Sequence, residues 1–220
     1  MIISPGRNYI FVHIPKTGGT ALALALESRA MKDDILIGDT PKALRRRPRL
    51  KKLSPRGRLW KHATLADIDG ILTPDEIAAM TTFTLVRNPW DRMVSYYHWL
   101  RAQGFDHPAV RLAGQLGFSA FLNHPQTAAA LRAGPYASYM RDVTGTERCT
   151  HYIRIESFAK DSAALAPQLG FAPRLERVNA SARHADYRRY YSDSDARLLA
   201  DLCAADIARF GYAFDATRGD

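Results

Sequence analysis

Two cysteines in 220 residues, Cys149 and Cys203, form neither a disulfide framework nor a metal-ligand pattern. Each reads as a small buried hydrophobe. No window approaches the roughly 18 apolar residues of a membrane span. Met1 to Arg7 lack the architecture of a secretory signal and lead directly toward an apolar strand. A cytoplasmic protein is expected. There is no internal repeat and no linker-like stretch, so a single domain over 1–220 is expected, long enough to bury a sizeable core.

Acidic residues are absent from positions 42 to 61. Lys42, Arg45, Arg46, Arg47, Arg49, Lys51, Lys52, Arg56, Arg58 and Lys61 all fall there. The whole chain carries +9, so its positive surplus is concentrated in this one segment. Pro48, Pro55 and Gly57 make it read as a basic loop at about 40–60, with a short helix around Pro41 to Arg47. Two readings stay open: a solvated loop, or an electrostatic collar for an anionic ligand. No recognition helix, zinc finger or RNA-binding signature accompanies it, so nucleic acid is not an expected partner.

The most informative stretch is Phe11-Val-His-Ile-Pro-Lys-Thr-Gly-Gly-Thr20. An apolar strand breaks at Pro15 into a Gly-rich turn, and strong helix formers follow from Thr20. Strand, turn and helix N-terminus make an anion site, because unpaired backbone N–H groups and the helix dipole point at it. Lys16 adds a point charge. Thr17 and Thr20 add hydroxyls, and Gly18 and Gly19 permit close approach of the backbone. The common triphosphate loop places its lysine after the glycines and its Ser/Thr on Mg²⁺. Here the lysine comes first, no acidic strand end supplies a metal ligand, and no metal is expected.

Thr84-Leu-Val-Arg-Asn-Pro-Trp-Asp-Arg-Met-Val-Ser-Tyr-Tyr97 repeats the strand–turn–helix pattern. Asn88 suits an N-cap, Pro89 the first helical position and Asp91 the first turn. Arg87 then ends the strand, and Ser95 lies about two turns into the helix. A guanidinium fork and a hydroxyl suit a phosphate dianion.

This pair of elements, in this order and about seventy residues apart, resembles the sulfotransferases that use 3′-phosphoadenosine 5′-phosphosulfate (PAPS). The wording His13-Ile-Pro-Lys-Thr-Gly-Gly-Thr20 is most similar to the branch that includes carbohydrate sulfotransferases. Tyr152 to Phe158, Val178 to Ser181 and Asp206 to Phe214 resemble later segments of bacterial members. The resemblance implies a P-loop NTPase-like three-layer α/β fold. It also implies that PAPS is the donor and leaves as 3′-phosphoadenosine 5′-phosphate (PAP). In that family the first element binds the 5′-phosphosulfate and the second the 3′-phosphate. Carried over, Lys16, Thr17, Gly18, Gly19 and Thr20 hold the first group, and Arg87 and Ser95 the second. Lys16 is the expected catalytic lysine.

Sulfuryl transfer requires charge stabilisation on the departing phosphate, removal of the acceptor proton, and in-line positioning. His62, in Lys61-His-Ala-Thr64, is the leading candidate base, because members of the branch draw a histidine or glutamate from this region. His13 is expected to pack locally, His98 is core or pocket wall, and His184 is a weaker rival. Asp91 and Arg92 read as local helix charges. Residues 179–191 suggest a flap, from which Arg183 and Arg188 reach phosphate. Trp90, Tyr96, Tyr97 and Trp99 read as core rather than adenine stackers; Tyr136 and Tyr139 are candidates for an acceptor site.

Alternating strands and helices argue for a mainly parallel sheet with helices on both faces. Expected strands lie at 8–14, 34–37, 81–86 and 150–155. Expected helices lie at 18–31, 74–80, 89–102, 117–123, 125–132, 157–169 and 193–210. Ligands in such sheets sit beyond the carboxyl ends of the strands. The acceptor is expected to be a hydroxylated, possibly anionic metabolite or sugar. Two rivals remain: an ATP- or GTP-dependent phosphotransferase, and a non-catalytic nucleotide- or polyanion-binding protein.

Overall fold

The computed structural model describes residues 1–176 and 183–215. In chain order the main elements are β1 (Ile2–Ser4), β2 (Tyr9–Val12), α1 (Gly19–Ser28), β3 (Ile35–Leu36), α2 (Pro41–Leu50) and α3 (Pro74–Ala78). Then come β4 (Thr81–Val86), α4 (Pro89–Arg101), α5 (Pro108–Gln115), α6 (Phe118–Asn123), α7 (Pro125–Ala133) and β5 (His151–Arg154). Helices Asp193–Leu202 and Ala204–Phe210 follow. The chain divides into two compact units. Residues 1–86 with 136–176 make the first, and 87–135 with 183–215 the second.

The first unit holds a five-stranded sheet in the order β3-β1-β2-β4-β5. β2, β4 and β5 are parallel neighbours, with Val12 opposite Thr84 and Thr84 opposite Tyr152. β1 runs antiparallel to both β2 and β3, so four of the five strands point the same way. β2 is buried at every position, which is why it reads as an unbroken apolar run. Its side chains still alternate. Tyr9 and Phe11 join Phe83, Leu85 and Ile153 against Leu22 and Leu26 of α1. Ile10 and Val12 face the other way, with Ile3, Ile68, Ile77 and Met140. The result is a mixed α/β sheet, parallel at its centre and covered on both faces.

The second unit is helical. Trp90, Met93, Val94, Tyr97 and Leu100 of α4 pack with Phe118, Phe121 and Leu199. Trp90 Nε1 donates to the Ala196 carbonyl at 3.0 Å, and Tyr97 Oη to the Leu116 carbonyl at 2.8 Å. Each polar end is satisfied inside a mainly apolar core.

Several local expectations change. The short helix expected around Pro41 to Arg47 in the basic segment is present and runs on to Leu50 as α2. Thr40 caps the helix through the Ala43 N–H, and Pro41 starts it. Lys42 donates to the Glu27 carbonyl, Arg46 to the Met31 and Asp34 carbonyls, and Arg49 to the Lys32 carbonyl. These cations bind the chain that leaves α1, a tertiary role that outweighs the presence of Pro48 inside the helix. Strand β1 and helix α5 were not anticipated. The expected helix at 157–169 is broken into short turns around Ser162 and Pro167, and the one at 193–210 breaks at Cys203. Val178 to Ser181, which resembled a family segment, lies outside the described residues.

Candidate functional site

In the first unit the chain leaves β2 at Val12 and enters α1 at Gly19. The intervening turn holds two left-handed residues, Lys16 with φ 67° and Gly18 with φ 90°. Holding a lysine there costs roughly 1 kcal/mol. A hydrogen bond from buried Thr17 Oγ1 to the Ile14 carbonyl, at 2.9 Å, fixes the turn and contributes a comparable amount. That hydroxyl proton is therefore committed within the turn. Lys16, Gly18 and Thr20 are half-buried, whereas Thr17 and Gly19 are buried. Gly19 is required by space and Gly18 by its left-handed backbone. A Cβ on Gly18 would stand 2.3 Å from Ile155 Cδ1, and one on Gly19 would stand 2.1 Å from the His13 ring. Gly18 is the N-cap of α1 and offers no side-chain cap; its carbonyl accepts from the Ala21 and Leu22 N–H groups, while those of Gly19 and Thr20 precede the first intrahelical acceptor. This is a backbone cradle of the kind an anion fills.

His62 belongs to the same unit and is held by the strand end. Its Nδ1 lies 2.8 Å from the His13 carbonyl. A carbonyl only accepts, so Nδ1 carries the proton and Nε2 keeps the lone pair. The His13 ring meets the His62 ring edge-on at 4.7 Å, and Trp60 meets it at 5.0 Å on a similar edge. Burial lowers the His62 pKa to about 4; the bond to the His13 carbonyl opposes this, and Lys61 adds to it. Burial also holds His13 well below the usual histidine range, with His62 contributing next. Both rings are neutral near pH 7. The structure therefore joins the Lys16 turn, His13 and His62 through Gly19 and one carbonyl.

The second unit carries Arg87 and Ser95. Asn88 caps α4 through the N–H groups of Trp90 and Asp91 at 3.0 and 3.4 Å. Arg87 donates through Nε and Nη2 to Asp91 Oδ2, at 2.9 and 2.6 Å. Arg183 Nη2 donates to Asp91 Oδ1 at 2.5 Å. Burial pushes the Asp91 carboxyl up, but the two guanidiniums pull it below its ordinary value. Ser95 is buried one turn further along the same face of α4, and His98 follows it at helical spacing. Burial lowers the His98 pKa, with Arg183 and Arg101 adding to the effect.

A family model described as "Sulfotransferase family" matches residues 1–213. The chain belongs to the sulfotransferase family. A search of curated proteins finds no match. Among solved structures, the sulfotransferase resembles the crystal structure of mouse sulfotransferase SULT7A1 complexed with PAP. The TM-score is 0.54 at 16% identity, over 96% of this chain and 91% of that one. At that identity the likeness concerns the fold. Among the described residues of the sulfotransferase, no helix is long and apolar enough to cross a membrane.

The other singled-out residues fall into structural roles. Trp90 and Tyr97 are core, as is Tyr136, which is fully buried. Arg188 pairs with Asp186, and His184 closes a local turn by accepting the Asp186 N–H. Two features escaped the sequence reading. The Arg87–Asp91 spacing of four residues was a visible signal for an ion pair, but nothing local announced that Arg183 shares the same carboxylate. The His13 carbonyl was equally invisible, because backbone acceptors leave no mark in residue identity.

Proposed function

We propose that this sulfotransferase moves a sulfuryl group from PAPS to an acceptor hydroxyl of a carbohydrate or another hydroxylated metabolite. The observation that carries this reading is the turn between β2 and α1, where a left-handed lysine precedes a left-handed glycine and a space-restricted one at a helix start. That cradle fits a phosphosulfate, and Lys16, Gly18, Gly19 and Thr20 would hold it, with the Thr17 backbone. Arg87 and Ser95 would hold the 3′-phosphate. When bound, PAPS supplies an activated sulfuryl group whose bond to the 5′-phosphate oxygen breaks as the acceptor oxygen bonds to sulfur. The Lys16 ammonium stabilises the negative charge on the phosphate side. His62 takes the acceptor proton at Nε2, the nitrogen left unprotonated by its bond to the His13 carbonyl. The match over 1–213 supports one sulfotransferase domain embracing both units.

The basic segment favours an anionic acceptor. Arg45, Arg47, Lys51 and Lys52 are exposed on and just beyond α2, with no acid between them. The test of the donor is calorimetric titration with PAP beside ATP, each with EDTA and again with Mg²⁺. Tight, metal-independent binding that needs the 3′-phosphate is expected. No binding, or preference for ATP with Mg²⁺, overturns the reading in favour of a phosphotransferase.

A further inference from the structure

The Arg87–Asp91–Arg183 cluster is buried to an extent unusual for three ions. The side chains are 14%, 6% and 7% exposed. Arg87 and Arg183 approach from positions about a hundred residues apart and occupy opposite oxygens of one carboxylate. The cluster keeps a net positive charge. Arg183 Nη1 is buried and finds no acceptor among the described residues. A buried guanidinium edge without an acceptor is costly to the fold. Such an edge is the kind of donor that an anion satisfies.

We infer that Asp91 is a positioning residue that holds Arg87 and Arg183 as a matched pair of donors, with the Nη1 edge of Arg183 directed to the same phosphate as Arg87. This rests on the reading of Arg87 as a 3′-phosphate ligand and extends it. Asp91 does two things at once. It fixes both forks, so that little side-chain freedom is lost on binding. It also cancels one of two buried like charges that would otherwise push the arginines apart. A phosphate dianion then meets a preorganised site.

The experiment compares PAP with adenosine 5′-monophosphate, which lacks the 3′-phosphate, by calorimetry on the full chain. The proteins are wild type, Asp91→Asn, Asp91→Glu and Arg183→Gln, each checked for folding by circular dichroism and thermal denaturation. Wild type is expected to prefer PAP. Asp91→Asn and Arg183→Gln should lose about tenfold or more in PAP affinity, while affinity for the monophosphate stays nearly constant. Asp91→Glu should recover part of the loss. A purely structural cluster would lower the melting temperature and leave the ratio of the two affinities unchanged. That result in folded variants overturns the inference, as does a rise in PAP affinity in Asp91→Asn, which would make the carboxylate a competitor. Should wild type itself fail to distinguish the two nucleotides, the 3′-phosphate assignment falls first and the positioning role falls with it.

Discussion

Lys16 and Arg87 are both cations beside proposed phosphate positions, yet their replacements should fail in opposite ways. In the proposed mechanism Lys16 stabilises charge that grows during transfer, so Lys16→Ala should lower kcat by about 10²–10³ while PAP binding changes far less. The phosphate proposed for Arg87 does not react, so Arg87→Ala should weaken PAP binding first. Steady-state kinetics beside calorimetry separates the two. His62 makes a sharper claim. A base must be neutral to accept a proton, and burial sets the His62 pKa at about 4. The acid limb of the kcat/KM profile assigned to His62 should therefore fall as pH drops through about 4, rather than near the ordinary histidine value. His62→Gln should cost about 10²–10⁴ in turnover. A limb near pH 6.5 that His62→Gln leaves in place would assign the base elsewhere.

At the scale of the element, the turn into α1 is defined by what cannot be added to it. Gly19→Ala puts a methyl group into the His13 ring, and that ring leans on His62. Overpacking of this kind costs about 1–3 kcal/mol. Thermal denaturation should show that loss, and turnover should fall further than the stability change explains, because His62 shifts as well. Much at this scale was legible in the sequence. Thr73, Pro74 and Glu76 announce the capping box of α3, and Asn88-Pro89 announces the start of α4. The apolar run of β2 and the β-branched and aromatic residues of β4 announce central strands. The start of helix α2 was legible, but its extension to Leu50 was not, because Pro48 and a run of cations argue locally for a loop. Its support comes from carbonyls at Glu27, Met31, Lys32 and Asp34, which are distant in sequence.

At the scale of the whole molecule, stability should depend on pH through the buried histidines. His13 and His62 have folded pKa values below their unfolded value of 6.5. Between those values the unfolded chain binds more protons, so stability falls as pH is lowered from about 6.5. Urea titrations at neutral and mildly acidic pH should show the decline, and it should shrink in His62→Gln. A flat profile would place both rings in water.

The sequence by itself determined the strand–turn–helix units, the order and identity of the phosphate-binding candidates, and membership of a recognisable family. Those properties are local: apolar runs, caps, glycines and lysine position act within a few residues of one another. Only the tertiary structure decided the rest. It set the His62 tautomer through a strand-end carbonyl, depressed both histidines by burial, required Gly19 for a ring six residues away, and brought Arg183 to the carboxylate that Arg87 holds. Those outcomes depend on which groups folding places together and removes from water, and short-range pattern carries no record of either.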